Sequence, residues 1–133
     1  MTRLHHVSLI VSDARRACGF YEGILGLPPI TRPELGFPGL WYSLGEGLQL
    51  HLLELPNPDP VSDRPAHGGR DRHVALLVDD LGEMVRRLER AGIGYTHSRS
   101  GRAAIFCRDA DGNGWELISA PANKDLEPFS PAM

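Results

Sequence analysis

The chain writes one strand twice. The stretch Arg72-His73-Val74-Ala75-Leu76-Leu77-Val78-Asp79-Asp80 has an earlier copy in His5-His6-Val7-Ser8-Leu9-Ile10-Val11-Ser12-Asp13. Laying His73 on His6, a shift of 67 residues, also superposes Val74 on Val7, Leu76 on Leu9, Val78 on Val11 and Asp80 on Asp13. In 133 residues that shift is half the chain. The fold must therefore be built from two similar units that share their apolar faces.

The rest of each unit follows its strand in the same order. Alternation of apolar and polar residues predicts a strand over 4–11. Asp13 is placed to cap a helix over about 14–25, in which Ala14, Ala17, Phe20, Tyr21, Ile24 and Leu25 recur at helical spacing before Gly26. Pro28-Pro29 starts a rigid extended piece, and the Gly and Pro content of 33–39 marks a loop. Leu40 to Leu44 and Leu48 to Glu54 read as strands joined by a turn at Gly45-Glu46-Gly47. Residues 56–71 hold four prolines and no periodicity, and form the linker. The second unit then gives a strand over 73–78 and a helix over about 80–91, with Leu81, Met84, Val85 and Leu88 on one face and Gly92 at its end. Strands near 94–98 and 102–108 follow, and Asp111-Gly112-Asn113-Gly114 turns into a last strand at 115–119.

The expectation is a single α+β domain over 1–133, made of two βαβββ modules in tandem: module one about 4–55, linker 56–71, module two about 72–119, and a tail from 120 to 133 that frays. The modules should form a curved mixed sheet, backed by the helices on one face and lining a cleft on the other.

Composition narrows the function. A formal charge of −3 and 23% charged residues carry no basic excess, so neither nucleic acid nor an anionic membrane surface is expected as partner. No apolar run approaches the ~18 residues that span a bilayer, and no secretory signal pattern opens the chain. Cys18 and Cys107 are too few for a disulfide framework and read as small buried hydrophobes, which suits a reducing cytoplasm.

Strand alternation sorts the remaining chemistry by face. Val7, Leu9 and Val11 oppose His6, Ser8 and Ile10; Leu48, Leu50 and Leu52 oppose Gln49, His51 and Leu53. Val74, Leu76 and Val78 oppose His73, Ala75 and Leu77, and Trp115 and Leu117 oppose Glu116 and Ile118. Each of these four strands has one metal-capable residue on its non-helix face: His6, His51, His73 and Glu116. The spacing from His6 to His51 is 45 residues and that from His73 to Glu116 is 43, in keeping with the repeat. Three imidazoles and a carboxylate suit Ni²⁺, Zn²⁺, Co²⁺, Fe²⁺ or Mn²⁺. An ion favouring six ligands would keep two positions for water or substrate. The repeat register selects His6 over His5; His67 and His97 lie in or beside loops without a repeat partner.

Three pieces together resemble the vicinal oxygen chelate superfamily, which includes glyoxalase I, fosfomycin-resistance thiol transferases, methylmalonyl-CoA epimerase and extradiol dioxygenases. They are Leu4-His5-His6-Val7 leading to Asp13 with Phe20-Tyr21-Glu22-Gly23-Ile24-Leu25-Gly26-Leu27, then Arg72-His73-Val74-Ala75, then Asp109 through Leu117. The resemblance puts the metal ligands on His6, His51, His73 and Glu116. It implies a homodimer in which His6 and His51 of one chain face His73 and Glu116 of the other, and a small-molecule substrate held through neighbouring oxygens. Glu116, the one acidic member of the set, is the candidate base.

Glyoxalase-I-like lyase or isomerase chemistry on a thiohemiacetal, or on a 2-oxo or 2-hydroxy acid derivative, is the leading expectation. Three positions depart from the bacterial glyoxalases. The second ligand is His51 where they have Glu, and their glutathione-holding Arg and Asn fall on Ile10 and Leu55. Those changes point away from glutathione as the thiol. Fosfomycin-type thiol transfer is the alternative: Ser98-Arg99-Ser100-Gly101-Arg102 is either an anion-binding loop or a solvated hairpin tip. Arg70, Arg72 and Arg102 are candidate contacts for a carboxylate or phosphonate, and Trp41 for a planar group. A non-enzymatic binding protein of the bleomycin-resistance kind is the third reading; it predicts lost ligand positions, whereas all four are present.

Overall fold

Strands distant in sequence lie side by side in each half. β1 (His6–Val11) runs parallel to β4 (Leu48–Glu54), and β5 (His73–Val78) runs parallel to β8 (Gly114–Ser119). A parallel pair needs a crossover. In the first half it is supplied by α1 (Ala14–Tyr21), β2 (Pro29–Ile30) and β3 (Gly39–Gly45); in the second by α2 (Leu81–Arg90), β6 (Tyr95–His97) and β7 (Ala104–Arg108). The computed structural model that shows this describes residues 1–121. From residue 122 onward, the expected tail lies outside the described residues.

The strands form two four-stranded sheets, ordered β1-β4-β3-β2 and β5-β8-β7-β6. The α+β architecture of two tandem βαβββ modules is therefore present, with the curved mixed sheet realised as two halves. What joins the halves is a common core. Val11, Leu50 and Leu52 of the first sheet and Val78, Ile105, Trp115 and Leu117 of the second belong to one buried cluster with Phe20, Tyr21 and Leu88 of the helices. Polar groups stitch the same seam. The Tyr21 hydroxyl donates to Asp109 Oδ2 at 2.6 Å and accepts from Trp115 Nε1 at 3.1 Å, while Asn113 Nδ2 donates to the Ile10 carbonyl at 3.0 Å.

Both helices start where the sequence places their caps. Asp13 accepts from the Arg16 amide at 3.1 Å and Asp80 from the Glu83 amide at 3.0 Å. α2 stops before Gly92, whose φ is +70°. α1 ends at Tyr21, earlier than expected. The amides of Gly23 and Leu25 reach back five residues, to the carbonyls of Cys18 and Phe20. Gly23 sits so close to Gly19 that a Cβ would stand 2.5 Å from the Gly19 carbonyl oxygen. Ile24 and Leu25 remain buried in the wider turn, so apolar spacing marked what is inside and overran the regular helix.

The linker is pinned. A short 3-10 turn at Gly68–Arg70 leads to Asp71, whose carboxylate accepts from Arg64 Nε at 2.7 Å and Arg108 Nη1 at 2.8 Å. Hydrogen bonding to Arg64, then Arg108, holds the Asp71 carboxyl well below the usual range. No helix among the described residues is long and apolar enough to cross a membrane.

Candidate functional site

Register decides which side chains share a face. In β1 and β4, Ser8 pairs with His51; in β5 and β8, Ala75 pairs with Glu116. Partners in a parallel ladder point the same way, so His6 and His51 share one face and His73 and Glu116 share the other sheet's equivalent.

In the first half the imidazoles of His6 and His51 stack with centroids 4.2 Å apart. The far side of the His51 ring lies on the Trp41 indole at 3.9 Å, and its Nε2 contacts Gln49 Oε1 at 2.8 Å. His5 Nδ1 lies 2.8 Å from His6 Nδ1, so His5 orients His6 from the neighbouring position. Burial, followed by His6, His5 and Arg32, lowers the pKa of His51. That keeps it as the neutral imidazole a metal requires.

In the second half His73 Nε2 stands 3.4 Å from Glu116 Oε1, and His73 Nδ1 lies 2.9 Å from the Asp71 carbonyl oxygen. A carbonyl only accepts, so Nδ1 carries hydrogen, and the metal-binding, unprotonated form of the ring would turn its Nε2 lone pair towards the carboxylate. Two acceptors facing each other at that distance call for a proton or a cation between them. A fixed tautomer with the lone pair aimed at an acidic partner is the arrangement of a metal-binding histidine. Glu116 is 6% exposed, and its other oxygen is 3.9 Å from Arg102 Nη1. The donors thus fit a divalent ion as two pairs. Among the described residues no three His, Cys, Asp or Glu side chains of one chain are placed to hold a metal ion together.

Arg70 and Arg102 line a cavity of about 450 Å³ with His73 and Glu116. Arg72 pairs with Asp59 at 2.8 Å and lines a second cavity of about 310 Å³ between the halves, which His73 also borders. Trp41 lies against His51, as described above. Of two further residues with a place in this geometry, Phe106 escaped the sequence reading and His67 was set aside by it. Phe106 pairs with Glu116 across β7 and β8, as Trp41 pairs with His51 across β3 and β4, and sets its ring edge-on to His73 at 5.0 Å. A shift of 65 residues lays Phe106 on Trp41 and Glu116 on His51 together, and that was its available signal. His67 joins the 450 Å³ cavity from the linker, with no repeat to mark it.

Residues 3–117 match the family model of the Glyoxalase/Bleomycin resistance protein/Dioxygenase superfamily. Over 118 residues the chain is 33% identical to glyoxylase I 4 of Arabidopsis thaliana, covering 84% of this chain and 67% of that protein. It is 28% identical to lactoylglutathione lyase of Neisseria meningitidis serogroup B over 138 aligned positions, 98% of this chain and 99% of that one. Among solved structures, the fosfomycin resistance protein FosX of Listeria monocytogenes superposes with a TM-score of 0.70 at 20% identity, covering 93% of this chain and 95% of that chain. The last likeness is one of fold.

Proposed function

The chain belongs to the glyoxalase/bleomycin resistance/dioxygenase superfamily, and from that premise we propose that it is a metal-dependent lyase or isomerase of glyoxalase I type. Its substrate would be a small molecule presenting oxygens on neighbouring atoms. The observation that carries the reading is the facing pair His73 Nε2 and Glu116 Oε1 at 3.4 Å, a spacing that a cation bound by both would fit.

His6 and His51 of one copy, with His73 and Glu116 of a second, would hold a divalent ion of the Ni, Zn, Co, Fe or Mn class. When bound, it would supply a Lewis acid for the substrate oxygens. Superfamily members commonly act on small molecules as dimers, and a homodimer would complete each half shell. Glu116 takes the proton next to a substrate carbonyl and returns it to the carbonyl carbon, while the neighbouring hydroxyl passes its proton to the former carbonyl oxygen, so that the carbonyl moves by one position. Arg70 and Arg102 attract an anionic substituent at the cavity mouth. Ile10 and Leu55 at the glutathione-holding positions favour another thiol, and the two free cysteines suit a cytoplasmic setting.

The test is to load metal-free protein with each ion, measure metal per chain, and assay hemithioacetals of several thiols. Binding of less than about half an equivalent per chain would sink the four-donor site. Full turnover by a metal-replete Glu116→Gln variant would remove Glu116 as the base. One observation favours a second reading. Arg70, Arg99 and Arg102 surround the cavity, so turnover of fosfomycin with thiols or water, without hemithioacetal activity, would select phosphonate chemistry.

A further inference from the structure

His67 lies in the linker, six residues before His73, yet it enters the same cavity as His73 and Glu116. Three contacts hold its ring. Its Nδ1 is 2.8 Å from Thr96 Oγ1 on β6, and its face meets Phe106 edge-on at 5.1 Å, the ring that His73 also touches. Gly69 lies against the remaining nitrogen: a Cβ there would stand 2.7 Å from His67 Nε2. Glycine at 69 is therefore what leaves Nε2 open. That nitrogen has no hydrogen-bond partner among the described residues and is not sealed from solvent. An imidazole anchored at one nitrogen and uncovered at the other is a preorganised donor aimed at whatever fills the cavity.

We propose that His67 is a further catalytic residue of this site, a neutral imidazole that donates from Nε2–H to the substrate oxygen on which negative charge develops. This rests on the isomerase reading given above. As Glu116 removes the carbon-bound proton, the electron pair moves on to the carbonyl oxygen, and His67 hydrogen-bonds that oxygen without giving up its own proton. Glu116 then delivers the proton to the former carbonyl carbon while the neighbouring substrate hydroxyl passes its own proton to the former carbonyl oxygen, so the carbonyl shifts and no group is gained or lost. In this role the Thr96 hydroxyl, 2.8 Å away, donates to Nδ1 and the ring hydrogen sits on Nε2. Burial, then Arg99 and Arg70, lower the pKa of His67 and keep the ring neutral, as an electrophilic histidine requires.

Two measurements test this. In metal-loaded protein, His67→Leu should lower kcat about 100-fold while KM changes by less than about threefold, and His67→Gln, which keeps a donor, should recover about tenfold. Metal per chain should be unchanged in both variants. Loss of metal would make His67 a ligand, and a rise in KM alone would make it a binding group; either overturns the proposal. The second readout needs no turnover. Imidazole ¹⁵N spectra of zinc-loaded protein should show His67 as the Nε2–H tautomer, with a resonance that moves when acetohydroxamate is added. An Nδ1–H tautomer, or an unmoved His67 resonance while other histidines respond, overturns it even if no hemithioacetal is turned over.

Discussion

His51 and Glu116 stand on the same rung of two separate sheets, His51 opposite Ser8 and Glu116 opposite Ala75. Within one chain His6 stacks on His51 and His73 stands beside Glu116, and among the described residues no three such donors are placed to hold a metal ion together. A shell completed by a second copy makes a definite prediction. His51→Ala and Glu116→Ala chains should each fail to hold metal tightly. After unfolding and refolding together, about a quarter of all sites should regain it, because random pairing makes half of the dimers mixed and each mixed dimer has one intact site. Co²⁺ absorbance of the mixture against its parents measures this, and no recovery would place the site within one chain.

Tyr21 bridges the halves between Asp109 and Trp115. Tyr21→Phe keeps the ring in the core but leaves a buried carboxyl and an indole N–H without that partner. It should cost about 2 kcal/mol, read from the urea midpoint. Burial already raises the Asp109 carboxyl above the ordinary value of 3.8, while the Tyr21 hydrogen bond works against that rise. Losing the bond lifts the folded value further. A raised folded pKa gives stability that is present in acid and lost as pH rises. The variant's deficit should therefore be smallest below 3.8 and grow towards neutrality; a deficit independent of pH would contradict this.

Asp71 works in the opposite sense. Arg64, then Arg108, depress its folded pKa, so its contribution is complete above 3.8 and declines as pH falls from there through the depressed value. Asp71→Asn should cost about 2 kcal/mol at neutral pH, since it breaks charge-assisted hydrogen bonds that pin the linker. The difference from wild type should shrink at about pH 2.5, because the unfolded wild-type chain has taken up its proton there and must release it to fold. Paired urea melts at the two pH values decide it. The same change also frees the carbonyl segment that orients His73, so metal affinity should weaken alongside.

The repeat, the strand faces and the helix caps were legible in the amino acids, because each depends on local periodicity. Alternation put His6, His51, His73 and Glu116 on the non-helix faces, and the observed registers give the same faces. The helix over 14–25 was overrun since Ile24 and Leu25 are buried whichever way their amides bond. Local patterns leave open which sheet face meets which. They show four donors on matched strands but not that the helical faces, packed into one core, leave the donors as two pairs. Arg72 and Arg70 show the same limit at short range: two residues apart before β5, one pairs with Asp59 and the other enters the cavity. His67 was set aside in the sequence because a linker has no period, and the packing of β6 and Phe106 around it brings that imidazole into the cavity that Glu116 also lines. The sequence determined which faces hold chemistry; tertiary packing decided which residues from the loops join them, because that depends on contacts between segments with no shared local pattern.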